Sequence, residues 1–218
     1  MTCKPKIFKD QVLEAGKKLF RVSIVDDPSP VHESRVSETA WVSKEELSIS
    51  PIIDERIYDL LKLPVYSTLD DSLQLLRYRV GGQYICHQDY FWRGTHLETK
   101  GVNFSHGVNR FATFFIYFNE PEEGGETAFC SVPSSDGPSN GTCKGYFAVK
   151  PKAGTAIFWY NLKPAFSAVT ELMQPDPMSL HAGCPVWKGK KYAANKWIFN
   201  KHPPNHNLGQ GEGFMQKK

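Results

Sequence analysis

The sequence predicts a mainly β fold with flanking helices, an α+β arrangement for which a jelly roll is the obvious candidate. Two amphipathic segments come first, and short strand-like segments separated by Gly, Pro and Asn follow them. Strands and helices do not alternate as a parallel sheet would require, and no internal repeat is visible. We therefore expect a closed or double-sheet β structure with the N-terminal helices packed outside it.

Two helices are predicted in the N-terminal part of the chain. Apolar residues recur at helical spacing over residues 10–20, and residues 21–25 then have the composition of a strand. The second helix has Ser50 as its candidate N-cap and Pro51 at its first position, and its apolar residues share one face. Both helices precede the segments that carry the candidate site residues.

The rest of the chain is predicted to form short strands and irregular connections. The predicted strands are residues 73–80, 84–90, 110–118, 146–149, 155–160 and 192–199. The segments without periodicity are residues 92–109, 133–142 and 163–178. Long loops on a β scaffold often carry binding residues, so these segments are candidate lids and binding loops, with surface disorder as the alternative.

Composition and charge are those of an ordinary globular protein. The chain has 218 residues, 40% of them hydrophobic, and a formal net charge of +3. The sequence has no run of five or more basic residues, which would indicate a nucleic-acid partner. It also has no apolar stretch that approaches the roughly 20 residues needed to span a bilayer. We expect one domain over residues 1–200 and a flexible tail at residues 201–218. The sequence is also compatible with a domain of a longer protein, and it gives no indication of an oligomeric state.

The five cysteines and two glycosylation sequons bear on the compartment. No CxxC pair is present, which excludes a zinc ribbon or a thioredoxin motif. Sequons occur at Asn103 and Asn140, and Cys130 and Cys143 flank the second. We predict a disulfide between Cys130 and Cys143 and a location in the endoplasmic reticulum lumen or another secretory compartment. The alternative is a cytoplasmic protein with chance sequons and reduced thiols.

A histidine and an aspartate, together with a distant second histidine, form a candidate metal site. His87 and Asp89 are two residues apart on a predicted strand, so their side chains are expected on one face. His181 offers a third ligand about ninety residues later. Two histidines and one carboxylate leave open positions on the metal, as in oxygen-activating non-haem Fe(II) sites. The alternative for His181 is a hydrogen-bonded core residue.

A lysine near the C-terminal end of the β region indicates an anion partner. If its strand alternates, Lys191 and Trp197 share a face, and an ammonium directed into an apolar interior is costly unless an anion meets it. The anion is expected to be the distal carboxylate of a small dicarboxylic co-substrate, with hydroxyls from Tyr78 and Tyr117 and with Thr113 on the same strand face. In the alternative, Lys191 is solvated and the tyrosines pack in the core.

Six short motifs follow one another between residues 77 and 186. They are RYRVGGQY at residues 77–84, HQD at 87–89, NRFAT at 109–113, GGET at 124–127, GTAIFWYNL at 154–162 and SLHAGCPV at 179–186. In this order and spacing they resemble the prolyl 4-hydroxylase family of Fe(II)- and 2-oxoglutarate-dependent dioxygenases, above all its animal collagen-type and transmembrane members. The resemblance covers about residues 10–200.

The resemblance implies a fold and a set of site residues. The implied fold is the double-stranded β-helix, a jelly-roll variant. The matching positions are His87, Asp89 and His181 for iron, Lys191 for the distal carboxylate of 2-oxoglutarate, Tyr78 and Tyr117 for holding this co-substrate, and Thr113 and Trp197 for the walls of its pocket.

The resemblance also implies a reaction and a partner. Peptidyl proline would be hydroxylated at C4 with consumption of 2-oxoglutarate and O2, giving 4-hydroxyproline, succinate and CO2, with ascorbate as a further cofactor. The expected partner is a proline-containing peptide or protein. Candidate contacts to it are Tyr84, Tyr90, Phe91, Trp92 and Trp159, for which core packing is the alternative.

Other functions stay open at this point. One is a 2-oxoglutarate oxygenase acting on another peptide residue or on a small molecule, because residues 92–108 depart from the family's usual sequence in a region that covers the peptide. Another is a non-catalytic jelly-roll binding module, against which the complete His87, Asp89, His181 and Lys191 set argues. A metal hydrolase would need a spare His/Glu pair, and none is suitably spaced.

Overall fold

The computed structural model describes residues 5–23, 35–43, 45–47, 50–62, 72–91, 109–163 and 174–200. Residues 92–108 of the predicted loop at 92–109, residues 164–173 of the predicted loop at 163–178 and the predicted tail at residues 201–218 lie outside these residues. Within the described part of the chain, no helix is both long enough and apolar enough to cross a membrane.

Two α-helices, fifteen strands and the 3-10 turns Gly141–Cys143 and Pro177–Ser179 make up the described secondary structure. The helices are α1 Pro5–Lys17 and α2 Ser50–Leu61. The strands are β1 Arg21–Val22, β2 Arg35–Val36, β3 Glu38–Val42, β4 Leu73–Tyr78, β5 Gln83–His87, β6 Arg110–Tyr117, β7 Glu123–Gly124, β8 Thr127–Pro133, β9 Tyr146–Val149, β10 Ala156–Tyr160, β11 Leu162–Lys163, β12 Gln174–Pro175, β13 His181–Gly183, β14 Val186–Lys188 and β15 Lys191–Phe199.

Two antiparallel sheets form the body of the fold. The larger sheet has the strand order β1-β3-β4-β15-β6-β10 and the smaller one the order β2-β5-β13-β8-β9. Strand β15 lies between β4 and β6, with Lys191 opposite Tyr78 and Trp197 opposite Thr113. Residues expected around one pocket are therefore neighbours in the larger sheet.

Apolar side chains lie on both faces of the larger sheet. On the outer face, Val12 of α1 and Ile53 and Ile57 of α2 belong to the same buried cluster as sheet residues such as Leu75 and Ala194. A Cβ at Gly16 would collide with the Leu75 side chain, so glycine lets α1 approach β4 closely. The outer helices therefore cover the sheet as expected.

The second cluster joins the two sheets. It contains Tyr78, Phe115, Tyr117 and Trp159 of the larger sheet and packs against Tyr84 and Phe129 of the smaller one. Two facing antiparallel sheets with helices outside confirm the predicted α+β jelly-roll class. The bounds differ in detail: α1 begins at Pro5 instead of residue 10, and α2 begins at Ser50, one residue before its expected first position at Pro51.

The disulfide pairing differs from the prediction. Cys86 is bonded to Cys130 and Cys143 to Cys184, so the predicted Cys130–Cys143 bond is wrong. Strands β5 and β8 lie on either side of the short strand β13, which brings Cys86 and Cys130 together near its end. The 3-10 turn Gly141–Cys143 instead packs near β13, next to Cys184. Sheet order, not the length of the intervening loop, determines the pairs.

Candidate metal and co-substrate site

Three side chains from the smaller sheet and the turn after β5 converge at one point. His87 ends β5 and His181 begins β13, and the two residues lie opposite each other in the ladder. Each histidine Nε2 is 3.9 Å from a carboxylate oxygen of Asp89. The ligand atoms of all three residues lie within 4.8 Å of one another. The structure thus brings together the three predicted metal ligands.

The backbone at Asp89 is not the expected strand. Strand β5 ends at His87, and Asp89 lies in a bend two residues later, so alternation along a strand is the wrong reason for the convergence. The carboxylate is instead oriented by the larger sheet. Its Oδ2 accepts hydrogen bonds from Thr113 Oγ1 at 2.7 Å and from Trp197 Nε1 at 3.0 Å.

Both imidazoles are oriented by backbone carbonyl groups. His87 Nδ1 lies 2.8 Å from the carbonyl oxygen of Ile85, and His181 Nδ1 lies 2.8 Å from that of Ser179. Because a carbonyl only accepts, each Nδ1 carries the proton and each Nε2 has a free lone pair. Burial lowers the pKa of His87 well below its usual value, and the neighbouring His181 lowers it further. The neutral form that binds metals is therefore favoured at His87.

Asp89 is charged in this environment. Burial alone would raise the pKa of its carboxyl, but the two imidazoles when protonated, the guanidinium of Arg110 and the hydrogen bond from Thr113 outweigh burial and lower the pKa. When the imidazoles are neutral, Arg110 and Thr113 still favour the carboxylate. A buried carboxylate beside two imidazole lone pairs attracts a cation. This donor set, two nitrogens and one oxygen, leaves open positions on a bound metal.

Lys191 lies inside the fold on β15. Its side chain is 1% exposed, and its Nζ has no hydrogen-bond partner among the described residues. The nitrogen lies 5.4 Å from the ring centroid of Tyr78, 5.1 Å from that of Phe115 and 5.5 Å from that of Tyr117. Burial lowers the pKa of this lysine to about 7, an effect that the charge of Glu126 partly opposes. An anion would restore the ammonium form, which fits the predicted carboxylate partner.

The two tyrosines around Lys191 differ in their hydroxyl contacts. Tyr78 is buried, and burial raises its pKa to about 12, so its phenol stays protonated and able to donate. Tyr117 already donates to Thr127 Oγ1 at 2.8 Å. Burial raises the pKa of Tyr117 as well, although the Thr127 contact opposes the rise. Sequence reasoning did not single out Thr127, whose only signal was its place at the end of the GGET motif.

Thr113 and Trp197 were expected in the pocket walls. The structure gives each a direct hydrogen bond to Asp89, and Thr113 also accepts one from Asn161 Nδ2 at 2.9 Å. Asn161 in turn accepts from Trp159 Nε1 at 2.9 Å. Sequence reasoning missed Asn161, although it follows Trp159 by two residues in one of the motifs.

The aromatic residues expected to meet substrate occupy different surroundings. The Tyr84 ring stacks on His87 with centroids 3.6 Å apart, and the Trp159 ring lies 4.6 Å from that of His181. Phe91 packs against Trp197, and the guanidinium of Arg110 lies 4.4 Å from the Phe91 ring centroid. Tyr90 is half-buried, and Trp92 lies outside the described residues.

Comparison with known proteins identifies the family of this site. Residues 73–199 match the family model described as 2OG-Fe(II) oxygenase superfamily. The chain belongs to this superfamily. Fe(II) and 2-oxoglutarate are accordingly its metal and co-substrate, in agreement with the open nitrogen and oxygen donor set and with the buried amine of Lys191.

Its sequence relatives include animal and plant prolyl 4-hydroxylases. The chain is 34% identical over 200 residues to prolyl 4-hydroxylase subunit alpha-1 of Gallus gallus, covering 88% of the chain and 34% of that relative. It is also 34% identical over 204 residues to probable prolyl 4-hydroxylase 4 of Arabidopsis thaliana, covering 87% of the chain and 62% of the relative. The chain therefore spans about a third of the first relative and less than two thirds of the second.

A solved structure shares the fold over nearly the whole chain. It is the viral collagen prolyl hydroxylase of Paramecium Bursaria Chlorella virus-1, in complex with 2OG. The two are 26% identical and superpose with a TM-score of 0.60, covering 89% of this chain and 90% of the viral one. The prediction of a prolyl 4-hydroxylase-like oxygenase domain is therefore confirmed at the level of family and fold.

Proposed function

We propose that this chain hydroxylates proline in a peptide at C4, consuming 2-oxoglutarate and O2 and giving 4-hydroxyproline, succinate and CO2. The observation that carries the proposal is the buried amine of Lys191, which has no hydrogen-bond partner within the described residues, in a fold that also gathers His87, Asp89 and His181. The prolyl 4-hydroxylase relatives support proline as the target residue.

Each site residue has a role in this proposal. His87, Asp89 and His181 bind iron through the two Nε2 atoms and one carboxylate oxygen. Lys191 binds the distal carboxylate of 2-oxoglutarate, and the protonated phenol of Tyr78 donates to the same group. Tyr117 holds Thr127 beside the co-substrate, while Thr113 and Trp197 act at the metal end by orienting Asp89.

The protein contributes orientation and a dry environment. When bound, Fe(II) with 2-oxoglutarate supplies the oxidising power that a C–H bond of proline requires. The stacked Tyr84 ring keeps the His87 imidazole in its plane, and the carbonyl groups of Ile85 and Ser179 keep both Nε2 atoms directed at the metal. Aromatic side chains around the ligands exclude water and offer flat apolar faces to a prolyl ring.

Aromatic residues near the metal suit a proline-rich peptide. Such chains are extended in the polyproline II conformation before they bind, so docking against aromatic side chains costs little ordering entropy. Tyr84 is the best placed of the predicted set, because its ring lies directly on a metal ligand and is only partly buried. One face of the ring stacks on His87 and the guanidinium of Arg35 lies over the ring, 4.8 Å from its centroid, so we propose the ring edge as part of the surface that the peptide contacts.

The deciding experiment measures oxygen incorporation and co-substrate use together. The purified chain is incubated with Fe(II), 2-oxoglutarate and a panel of proline-containing peptides, with succinate quantified and the peptides sequenced by tandem mass spectrometry. One hydroxyl on proline for each succinate formed is expected. Asp89→Ala should abolish both products with the fold intact, because it removes the only charged metal ligand of the predicted triad.

Other outcomes identify the alternatives. Oxygen on another residue, or succinate formed only with a small molecule, would keep the oxygenase function and exclude prolyl hydroxylation. Absence of succinate with every substrate, despite bound Fe(II) and 2-oxoglutarate, would indicate a non-catalytic binding module. Wild-type succinate formation by Asp89→Ala would overturn the metal assignment itself.

The compartment and the reductant are further parts of the proposal. We place the chain in the endoplasmic reticulum lumen or another oxidising compartment, supported by the two disulfides and by the exposed Asn140 of a glycosylation sequon. A glycan on Asn140 of the protein isolated from its source would support this location, and free Cys86 and Cys130 would exclude it. Ascorbate as an activator rests on the family resemblance, and a higher number of turnovers in its presence is the test.

A further inference from the structure

We infer that Asn161 is a positioning residue for the metal carboxylate: it directs the Thr113 hydroxyl hydrogen at Asp89 and leaves one carboxylate oxygen for the metal. Asn161 is fully buried and belongs to a hydrogen-bonded chain that runs from Trp159 through Asn161 and Thr113 to Asp89. The inference rests on the proposed iron site and names a residue outside the metal triad, whose side chain bonds to Trp159 and Thr113.

The direction of every hydrogen bond in this chain follows from its first member. The indole nitrogen of Trp159 can only donate, so the group of Asn161 that faces it at 2.9 Å must be the amide oxygen. The amide nitrogen of Asn161 then faces Thr113 Oγ1, 2.9 Å away, and donates to it. Thr113 has one hydroxyl hydrogen, which is left to point at Asp89 Oδ2 at 2.7 Å.

The hydrogen-bonded chain determines which oxygen of Asp89 is available to the metal. Oδ2 accepts from both Thr113 and Trp197, and a carboxylate oxygen has two lone pairs in its plane. Oδ1 has no such donor among the described residues and lies 3.9 Å from His87 Nε2, whereas Oδ2 lies 3.9 Å from His181 Nε2. With both in-plane lone pairs of Oδ2 engaged, Oδ1 is the oxygen of Asp89 that keeps its lone pairs for the metal.

The backbone of the same residue supports the third ligand. The carbonyl oxygen of Asn161 accepts from Asp176 N at 2.9 Å, and the carbonyl oxygen of Asp176 accepts from Ser179 N and from Ser179 Oγ. Ser179 in turn orients His181. Replacing the Asn161 side chain leaves this backbone connection in place, so its effect should be confined to the Asp89 side of the site.

The test is a double-mutant cycle read by Fe(II) affinity. Anaerobic Fe(II) titration gives the dissociation constant for wild type, Asn161→Leu, Thr113→Val and the double variant. Each single substitution should weaken Fe(II) binding by about 10- to 100-fold. If Asn161 acts through Thr113, adding Asn161→Leu to Thr113→Val should weaken binding by less than about threefold further. The rise in melting temperature on Fe(II) addition should be largest for the wild type and smaller for each variant that binds Fe(II) more weakly.

Two further variants separate a positioning role from general destabilisation. Thr113→Ser keeps the hydroxyl and should restore most of the affinity that Thr113→Val loses. Asp54→Asn disrupts a buried ion pair with Lys196 and should lower the melting temperature without changing Fe(II) affinity. If Asn161→Leu does not fold, Asn161→Ala loses the same two hydrogen bonds and takes its place in the cycle.

The outcomes distinguish this inference from the proposed iron site. Wild-type Fe(II) binding by Asp89→Ala would overturn both. Loss of binding in Asp89→Ala together with unchanged binding in Asn161→Leu would overturn the inference alone. Losses that multiply in the double variant would also overturn it, because Asn161 would then act independently of Thr113.

Discussion

Cys86, the residue directly before His87, is bonded to Cys130 in β8. The bond spans 44 residues and the Cys143–Cys184 bond spans 41. Since the entropy of loop closure depends only weakly on length, breaking either bond should lower the free energy of unfolding by a similar amount, about 2–4 kcal/mol. Urea denaturation of the Cys86→Ser/Cys130→Ser and Cys143→Ser/Cys184→Ser variants measures both losses.

Cys3 provides the control for this prediction. Four of the five cysteines form the two bonds of the described residues, and Cys3 belongs to neither bond. Cys3→Ser should therefore leave the urea midpoint unchanged. A Cys86→Ser/Cys130→Ser variant as stable as the wild type would contradict a structural role for the first bond.

Gly124 should tolerate alanine poorly. It has φ +77°, and an added Cβ would collide with the carbonyl oxygen of Pro185. Gly145 has nearly the same φ, +76°, but a Cβ added there would meet no atom of the described residues within 4 Å, its chain neighbours aside. Gly145→Ala should cost about 1–2 kcal/mol from the backbone conformation alone, and Gly124→Ala clearly more. Equal denaturation midpoints for the two variants would contradict the steric argument.

The ion pair between Asp54 of α2 and Lys196 of β15 should contribute strongly to stability. Its atoms are 2.9 Å apart and the side chains are 8% and 1% exposed. Removing one partner by Asp54→Ala leaves a buried charge, at a cost of about 3–5 kcal/mol. The matched control is Glu122→Ala, which breaks the exposed Lys188–Glu122 pair of 2.6 Å and should cost at most about 1 kcal/mol. Thermal unfolding of both variants tests the difference.

The sequence predicted the ligands better than it predicted how they are held. His87, Asp89, His181 and Lys191 are recognisable by residue type and spacing, because metal and anion binding restrict chemistry strongly. The bend that carries Asp89 was missed, and its carboxylate is oriented by a hydrogen bond from Thr113, 24 residues away in the chain. Such contacts depend on strand register, which a single sequence does not reveal.

The short strands and the disulfides also depend on pairing between distant parts of the chain, which a single sequence does not reveal. Strand β13 has three residues and exists because it pairs with β5 on one side and β8 on the other. Its sequence carries no alternation over so short a length. The cysteine pairs follow from this sheet order, so a prediction based on the loop between Cys130 and Cys143 was wrong. Helix α2 was predicted to within one residue at its start, because Pro51 and the apolar periodicity are local signals, although Ile52 and Leu60 of the expected face are exposed.

The proton on Lys191 should couple both folding and co-substrate binding to pH. Burial lowers its pKa to about 7 in the folded protein, against 10.5 for an unperturbed lysine. Between these values the unfolded chain holds the proton and the folded chain does not, so the stability of the ligand-free protein should rise with pH across this window. The affinity for 2-oxoglutarate should instead fall as the pH rises, because the carboxylate of this co-substrate favours the ammonium form of Lys191.

Calorimetry in buffers of different ionisation enthalpy measures the protons taken up on 2-oxoglutarate binding. Above about pH 8, where the ligand-free lysine is mostly neutral, uptake should approach one proton per site, and affinity should fall by up to about tenfold per pH unit. Below about pH 6 uptake should be close to zero, since the lysine is already charged. Lys191→Arg keeps a permanent charge and should remove the uptake at every pH. Equal uptake by the wild type and Lys191→Arg would assign the titrating group elsewhere and separate Lys191 from the co-substrate carboxylate.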